Sequence, residues 1–253
     1  MSTGRPKPDC CLAARPRLKS GMIKKHTLFG APAPAQDESR HKETRSITGA
    51  PLGDLALFVA IFGIVWAGCV IFVWRLEGLS AEARPWFRTA IWCFAAAIWV
   101  WWQKPRRPLD WLGLTPLSAR IVAVSVIAFV VILAWNLLRV QLIGGAVDGL
   151  RTLSVSGYLW SVVGVFVEEL LLRGVVQTRL AECLSTPIAI IVSAALFLAI
   201  HIPGWILLSM PIDAVVVTSV FLLGLVCGWL RSRSGSLWPA VSAHWANNLG
   251  AML

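Results

Sequence analysis

From residue 52 onward the chain is a succession of apolar runs broken by short polar stretches. About 20 apolar residues carry a helix across a bilayer, and this pattern predicts seven spans, with room for an eighth. They cover about residues 52–74, 86–103, 119–138, 156–181, 187–202, 211–230 and 237 to the C-terminus. The second ends in Trp99, Trp101 and Trp102, a grouping that reads as an interfacial aromatic belt. Pro203, Gly204 and Pro211 interrupt the stretch between the fifth and sixth spans and predict a half-helix or re-entrant piece there.

Composition agrees with a polytopic all-α membrane bundle. Of 253 residues 57% are hydrophobic and 14% charged, and the mean hydropathy is +0.71, too apolar for an ordinary soluble domain. Residues 1–50 differ in kind. They hold ten Lys or Arg against four Asp or Glu, several prolines and no apolar run able to build a core, and so read as a disordered basic tail. No apolar stretch follows the early charges, so the tail is not read as a cleavable signal.

Charge then orients the chain. Lys104, Arg106 and Arg107 follow the second span, and Arg231 and Arg233 follow the sixth. With the N-terminus cytoplasmic, all three basic clusters fall on one side of the membrane, as Lys and Arg near span ends prefer. The net charge of +10 is thereby assigned to topology and anionic membrane lipid, with no nucleic-acid partner expected. The cysteines show no metal-site spacing. No internal repeat suggests a transporter built from duplicated halves.

Within the fourth run stands "FVEELLLRG". Each ionised group at mid-membrane costs about 2.5–3.5 kcal/mol on insertion scales, so Glu168, Glu169 and Arg173 need partners. Glu169 and Arg173 are spaced i,i+4 and share a face, whereas Glu168 projects about 100° away. The pair reads by itself as a structural ion pair. Glu168 needs a polar neighbour from another helix, and the spans offer His201 in "FLAIH" and His244 in "HWANN", with Asn248 one turn beyond His244. Three helices thus bring polar groups to one bundle, the usual construction of a site between facing helices. Taken singly, His201 reads equally as a span-end residue bonded to a carbonyl, Asn248 as interhelical glue, and Phe197 as packing.

Together "EELLLR", "FLAIH" and "HWANN" fit the patterns EExxxR, FxxxH and HxxxN in the order of the CAAX protease and bacteriocin-processing (CPBP) family of intramembrane endopeptidases, which this chain resembles over about residues 110–253, starting near "DWLGLTP". Residues 51–109 would then be two additional transmembrane helices. The resemblance implies that Glu168 is the base that activates water, that His201 holds this water and shares its proton, and that His244 and Asn248 stabilise the oxyanion. Glu169 and Arg173 would brace the helix, and Phe197 would serve packing. A second mechanism places zinc on His201, His244 and Glu168, as in a three-ligand catalytic site. The metal-free mechanism is preferred because no HExxH-like pairing occurs. The expected substrate is a membrane-bound peptide or protein, with prenylated chains among the candidates. From other classes come a proton-coupled transporter using Glu168 and the histidines as a relay, and an inactive scaffold.

Overall fold

The computed structural model describes residues 52–75, 80, 83–142, 154–210 and 212–251. The reading of residues 1–50 as a tail, and Pro211 with them, lies outside the described residues. Among the described residues every regular element is helical. In chain order these are α1 (Gly53–Arg75), α2 (Ala83–Gln103), the short α3 (Pro108–Leu112), α4 (Ala119–Leu142) and α5 (Val155–Glu169). A π-helical segment (Leu170–Gln177) carries α5 directly into α6 (Thr178–Cys183), and α7 (Thr186–Ala199), α8 (Ile202–Leu207), α9 (Ala214–Ser234) and α10 (Trp238–Ala251) follow.

Four of these stretches are long and apolar enough to cross a membrane: Gly53–Phe72, Ala119–Leu142, Thr186–Leu207 and Ala214–Ser234. The other three expected spans are also helical but weaker in this respect, each for a visible reason. α2 carries Arg84, Arg88 and five tryptophans. The α5–α6 run carries both glutamates and three further charges, Arg173, Arg179 and Glu182. α10 has 14 residues, which at 1.5 Å each reach about 21 Å against a hydrocarbon core of about 30 Å.

Polar contacts fix how the helices run. At one end Arg179 pairs with Asp54 (3.2 Å) and Glu182 (2.9 Å), Gln103 donates to Asp54 (3.2 Å), and Trp111 donates to Glu182 (2.7 Å). Arg231 donates to the Trp111 carbonyl at the same end (3.2 Å). The start of α1, the ends of α2, α6 and α9 and the whole of α3 therefore meet there, which gathers Lys104, Arg106, Arg107, Arg231 and Arg233 toward one end of the bundle. Gly113, in "DWLGL", makes this join: its φ of +80° ends α3 in the left-handed region. Its carbonyl accepts from the Leu237 amide that starts α10 (2.8 Å). A Cβ at this position would lie 2.6 Å from Arg231 Nε.

The aromatic group at the end of α2 divides in a way the sequence reading did not anticipate. Trp101 and Trp102 are exposed, as a belt requires, but Trp99 is fully buried and packs on Phe58 of α1 (ring centroids 4.5 Å). It continues the Trp92–Ala96 stripe at helical spacing, so it belongs to the α1–α2 seam.

The centre of the bundle is the π-helical segment, which touches α2, α3, α5, α6, α7 and α9. Leu171, Leu172, Val175 and Val176 are buried there. Opposite it α9 presents Gly224 and Gly228, a small-xxx-small spacing that lets helices approach closely. A Cβ on Gly224 would meet the Ala194 Cα at 3.0 Å, and one on Gly228 would meet Gln177 Oε1 at 2.8 Å. α4 lies outermost, largely exposed, and packs chiefly along α10.

Candidate active site

Glu169, the last residue of α5, is fully buried. Its Oε1 forms an ion pair with Arg173 Nη1 (3.0 Å) and accepts from His244 Nδ1 (2.8 Å). Arg173 also donates through Nη2 to the Gly224 carbonyl (3.1 Å), an oxygen made reachable by the close approach of α9. One fully buried cluster thus joins the π-helical segment, α9 and α10. Buried charges are tolerated only when paired and hydrogen-bonded, and here the pair has both.

The sequence reading held Glu169 to its own helix. The bond to His244, 75 residues downstream, is not legible in the sequence, because an i,i+4 partner already accounts for the carboxylate. The consequence for His244 is specific. With Glu169 occupying Nδ1, its Nε2 is directed toward Glu168, 3.9 Å from Oε2.

Glu168 occupies the different environment that its rotation around the helix predicts, about one fifth of its side chain being exposed. It lines an open cavity of about 180 Å³ together with His201, Arg88, Trp66, Trp92 and Trp205. His201 sits at the bend between α7 and α8, where Ile200 and His201 interrupt the helix just before Pro203. Its Nδ1–H donates to the Phe197 carbonyl (2.7 Å), one of the groups freed at a helix end. In the neutral ring this leaves Nε2 as an acceptor. Trp66 of α1 satisfies another such carbonyl, that of Ile200 (2.9 Å), and so fixes the bend against the first helix.

Phe197 does more than fill space. Its ring packs edge-on against His201 (4.7 Å) and His244 (5.2 Å), while the Arg173 guanidinium lies over its face (4.5 Å). One aromatic side chain therefore sets the spacing of both histidines and the buried cation. Asn248 is half-buried on the His244 face of α10, one turn further on. It lines neither the cavity nor the buried cluster, and makes no hydrogen bond among the described residues.

The geometry brings Glu168 and His201 to one cavity, directs His244 toward Glu168, and sets Glu169 and Arg173 behind them. It does not gather a zinc site: among the described residues no three His, Cys, Asp or Glu side chains converge closely enough to hold an ion. Arg88 was missed at the sequence level although the signal was present, since an arginine within a predicted span is a functional candidate by default.

Comparison with known proteins places a family on this region. Residues 151–250, which include all seven motif residues from Glu168 to Asn248, match the family model described as Rce1-like, type II CAAX prenyl endopeptidase. Neither the search of curated proteins nor that of solved structures found a match.

Proposed function

We propose, from the match of residues 151–250 to the Rce1-like type II CAAX prenyl endopeptidase family model, that this integral membrane protein hydrolyses peptide bonds of membrane-associated substrates with a water molecule activated by Glu168. The observation that carries the reading is the split between two adjacent carboxylates. Glu169 is sealed and neutralised, whereas Glu168 faces a cavity beside His201 with a second imidazole 3.9 Å away.

In this mechanism Glu168 takes a proton from water in the cavity as the oxygen attacks the scissile carbonyl carbon. His201, its Nδ1–H committed to the Phe197 carbonyl, offers Nε2 to the same water. The proton then passes to the departing amine as the tetrahedral intermediate collapses. Glu169 holds His244 by Nδ1, so that in the protonated ring the Nε2–H points toward Glu168 and the reacting centre, where it serves the oxyanion. A well-placed donor of this kind contributes about 2.7–4 kcal/mol to the transition state. No step is routed through a metal, because the side chains present do not converge on one.

The test compares membrane fractions from cells carrying the wild-type protein or Glu168→Gln. This substitution keeps size and hydrogen bonding but removes the base. Fragments present only with the wild type are expected, and their absence would sink the proposal. Purified active protein should also keep its activity after chelation. One stoichiometric zinc whose removal and return switch activity off and on would instead establish the metal-dependent alternative.

A further inference from the structure

Arg88 projects from α2, outside the family match, into the cavity that holds Glu168 and His201. A second, smaller cavity is also lined by Arg88 and Glu168, together with Trp66, Trp92 and Trp160, so these two residues border both cavities. The guanidinium lies over the Trp66 ring, 5.2 Å from its centroid, and its Nε is buried without a hydrogen-bond partner. Glu168 attracts it electrostatically but forms no direct ion pair with it. An arginine has five donors in a planar fork that matches a carboxylate. Arg88 is half-buried beside tryptophans at an open cavity, and a cation partly withdrawn from water in this way is stabilised by an anion that completes it. Glu168 cannot be that anion at close range while it also serves as the base. Stacking on Trp66 holds the fork in place without using its hydrogen-bonding edge.

We propose that Arg88 is the substrate-recognition residue of this cavity and binds a carboxylate of the peptide being cleaved. The proposal rests on the cavity being the substrate site of the endopeptidase proposed above. The carboxylate is either the free C-terminus of the peptide or an acidic side chain, and Arg88 anchors it while Glu168 delivers water to a neighbouring carbonyl.

The test uses the purified full-length protein in nonionic detergent and three probes that share one anchor: dodecanoyl-Gly-Ala with a free carboxylate, the same compound as its amide, and dodecanoyl-Gly-Glu amide, whose only carboxylate is on the side chain. Binding is read as a saturable rise in melting temperature, because a ligand of the folded state alone stabilises it. The free acid should bind more tightly than its amide by roughly tenfold to a hundredfold, the range of a charge-assisted hydrogen-bonded contact. Tight binding of the side-chain acid as well would assign the site to carboxylates in general, and binding of the terminal acid alone would assign it to C-termini.

Arg88→Gln should bring acid and amide to equal affinity, and Arg88→Lys, which keeps charge but loses the fork, should fall between. Comparing variants removes any difference in how the probes enter micelles. If Arg88→Gln does not fold, the acid-to-amide ratio in the wild type and in Arg88→Lys decides the matter. Equal binding of acid and amide to the wild type, no stabilisation by any probe, or an unchanged ratio in the variants would each overturn the assignment. These readouts involve no turnover, so a wrong proteolytic mechanism would show itself separately, as fragments that survive Glu168→Gln.

Discussion

Two glutamates one residue apart have opposite surroundings, and the difference follows from 100° of helical rotation. Glu169 turns inward, where Arg173 and His244 satisfy one of its oxygens; Glu168 turns to the cavity. Their substitution should separate folding from chemistry. Arg173→Ala leaves a buried carboxylate without its cation, and breaking such a pair costs about 3–5 kcal/mol. The variant should accumulate poorly and melt early in detergent, and normal abundance with unchanged melting would refute the bracing role. Glu168→Gln, at a partly exposed position, should instead melt within about 0.5 kcal/mol of the wild type while losing activity. His244→Ala should do both, because it removes a partner of Glu169 and the imidazole beside Glu168.

At the scale of elements, the decisive contact is between the π-helical segment and α9. Arg173 and Gln177, four residues apart, donate to the carbonyls of Gly224 and Gly228, also four apart (3.1 and 2.9 Å). Such π-helical turns recur at functional sites. Gly224→Val would press side-chain atoms on the Ala194 backbone, which cannot yield as a flexible side chain can. Thermal unfolding in detergent should show a loss of about 1–3 kcal/mol. Gly68→Ala in α1, with nothing within 4 Å of the added methyl group, is the control and should be neutral.

This level was also where the sequence was least informative. Apolar length located the seven longer helical runs to within a few residues, whereas the short α3 (Pro108–Leu112) lay outside every expected span, and the i,i+4 rule found Glu169 with Arg173. Neither rule concerns what a helix meets across the bundle. The His244–Glu169 bond, the place of Phe197 between both histidines and the burial of Trp99 are all set by tertiary contact. Arg88 is legible from its position inside a span, although it belongs to none of the three motifs, which all lie in the second half of the chain.

For the whole molecule, the gathering of basic residues at one end makes a topological prediction. If that end is cytoplasmic, as Lys and Arg near span ends prefer, reporter fusions at Lys104 and Leu253 should report opposite compartments. The same compartment for both would require one span more or fewer than seven. The candidate site lies toward the other end of the bundle, where His201 and α8 line the cavity.

The pairing of Glu169 with Arg173 inside a single stretch of chain also bears on biogenesis. His244 is synthesised 75 residues after Glu169, so the carboxylate meets the lipid phase before its imidazole partner exists. A cation one helical turn away travels with it, and the two enter the bilayer as a neutral unit whose insertion need not wait for the helices that later enclose it. Moving Arg173 to a neighbouring helix could preserve the folded contact, yet it would leave each charge to pay its insertion cost alone.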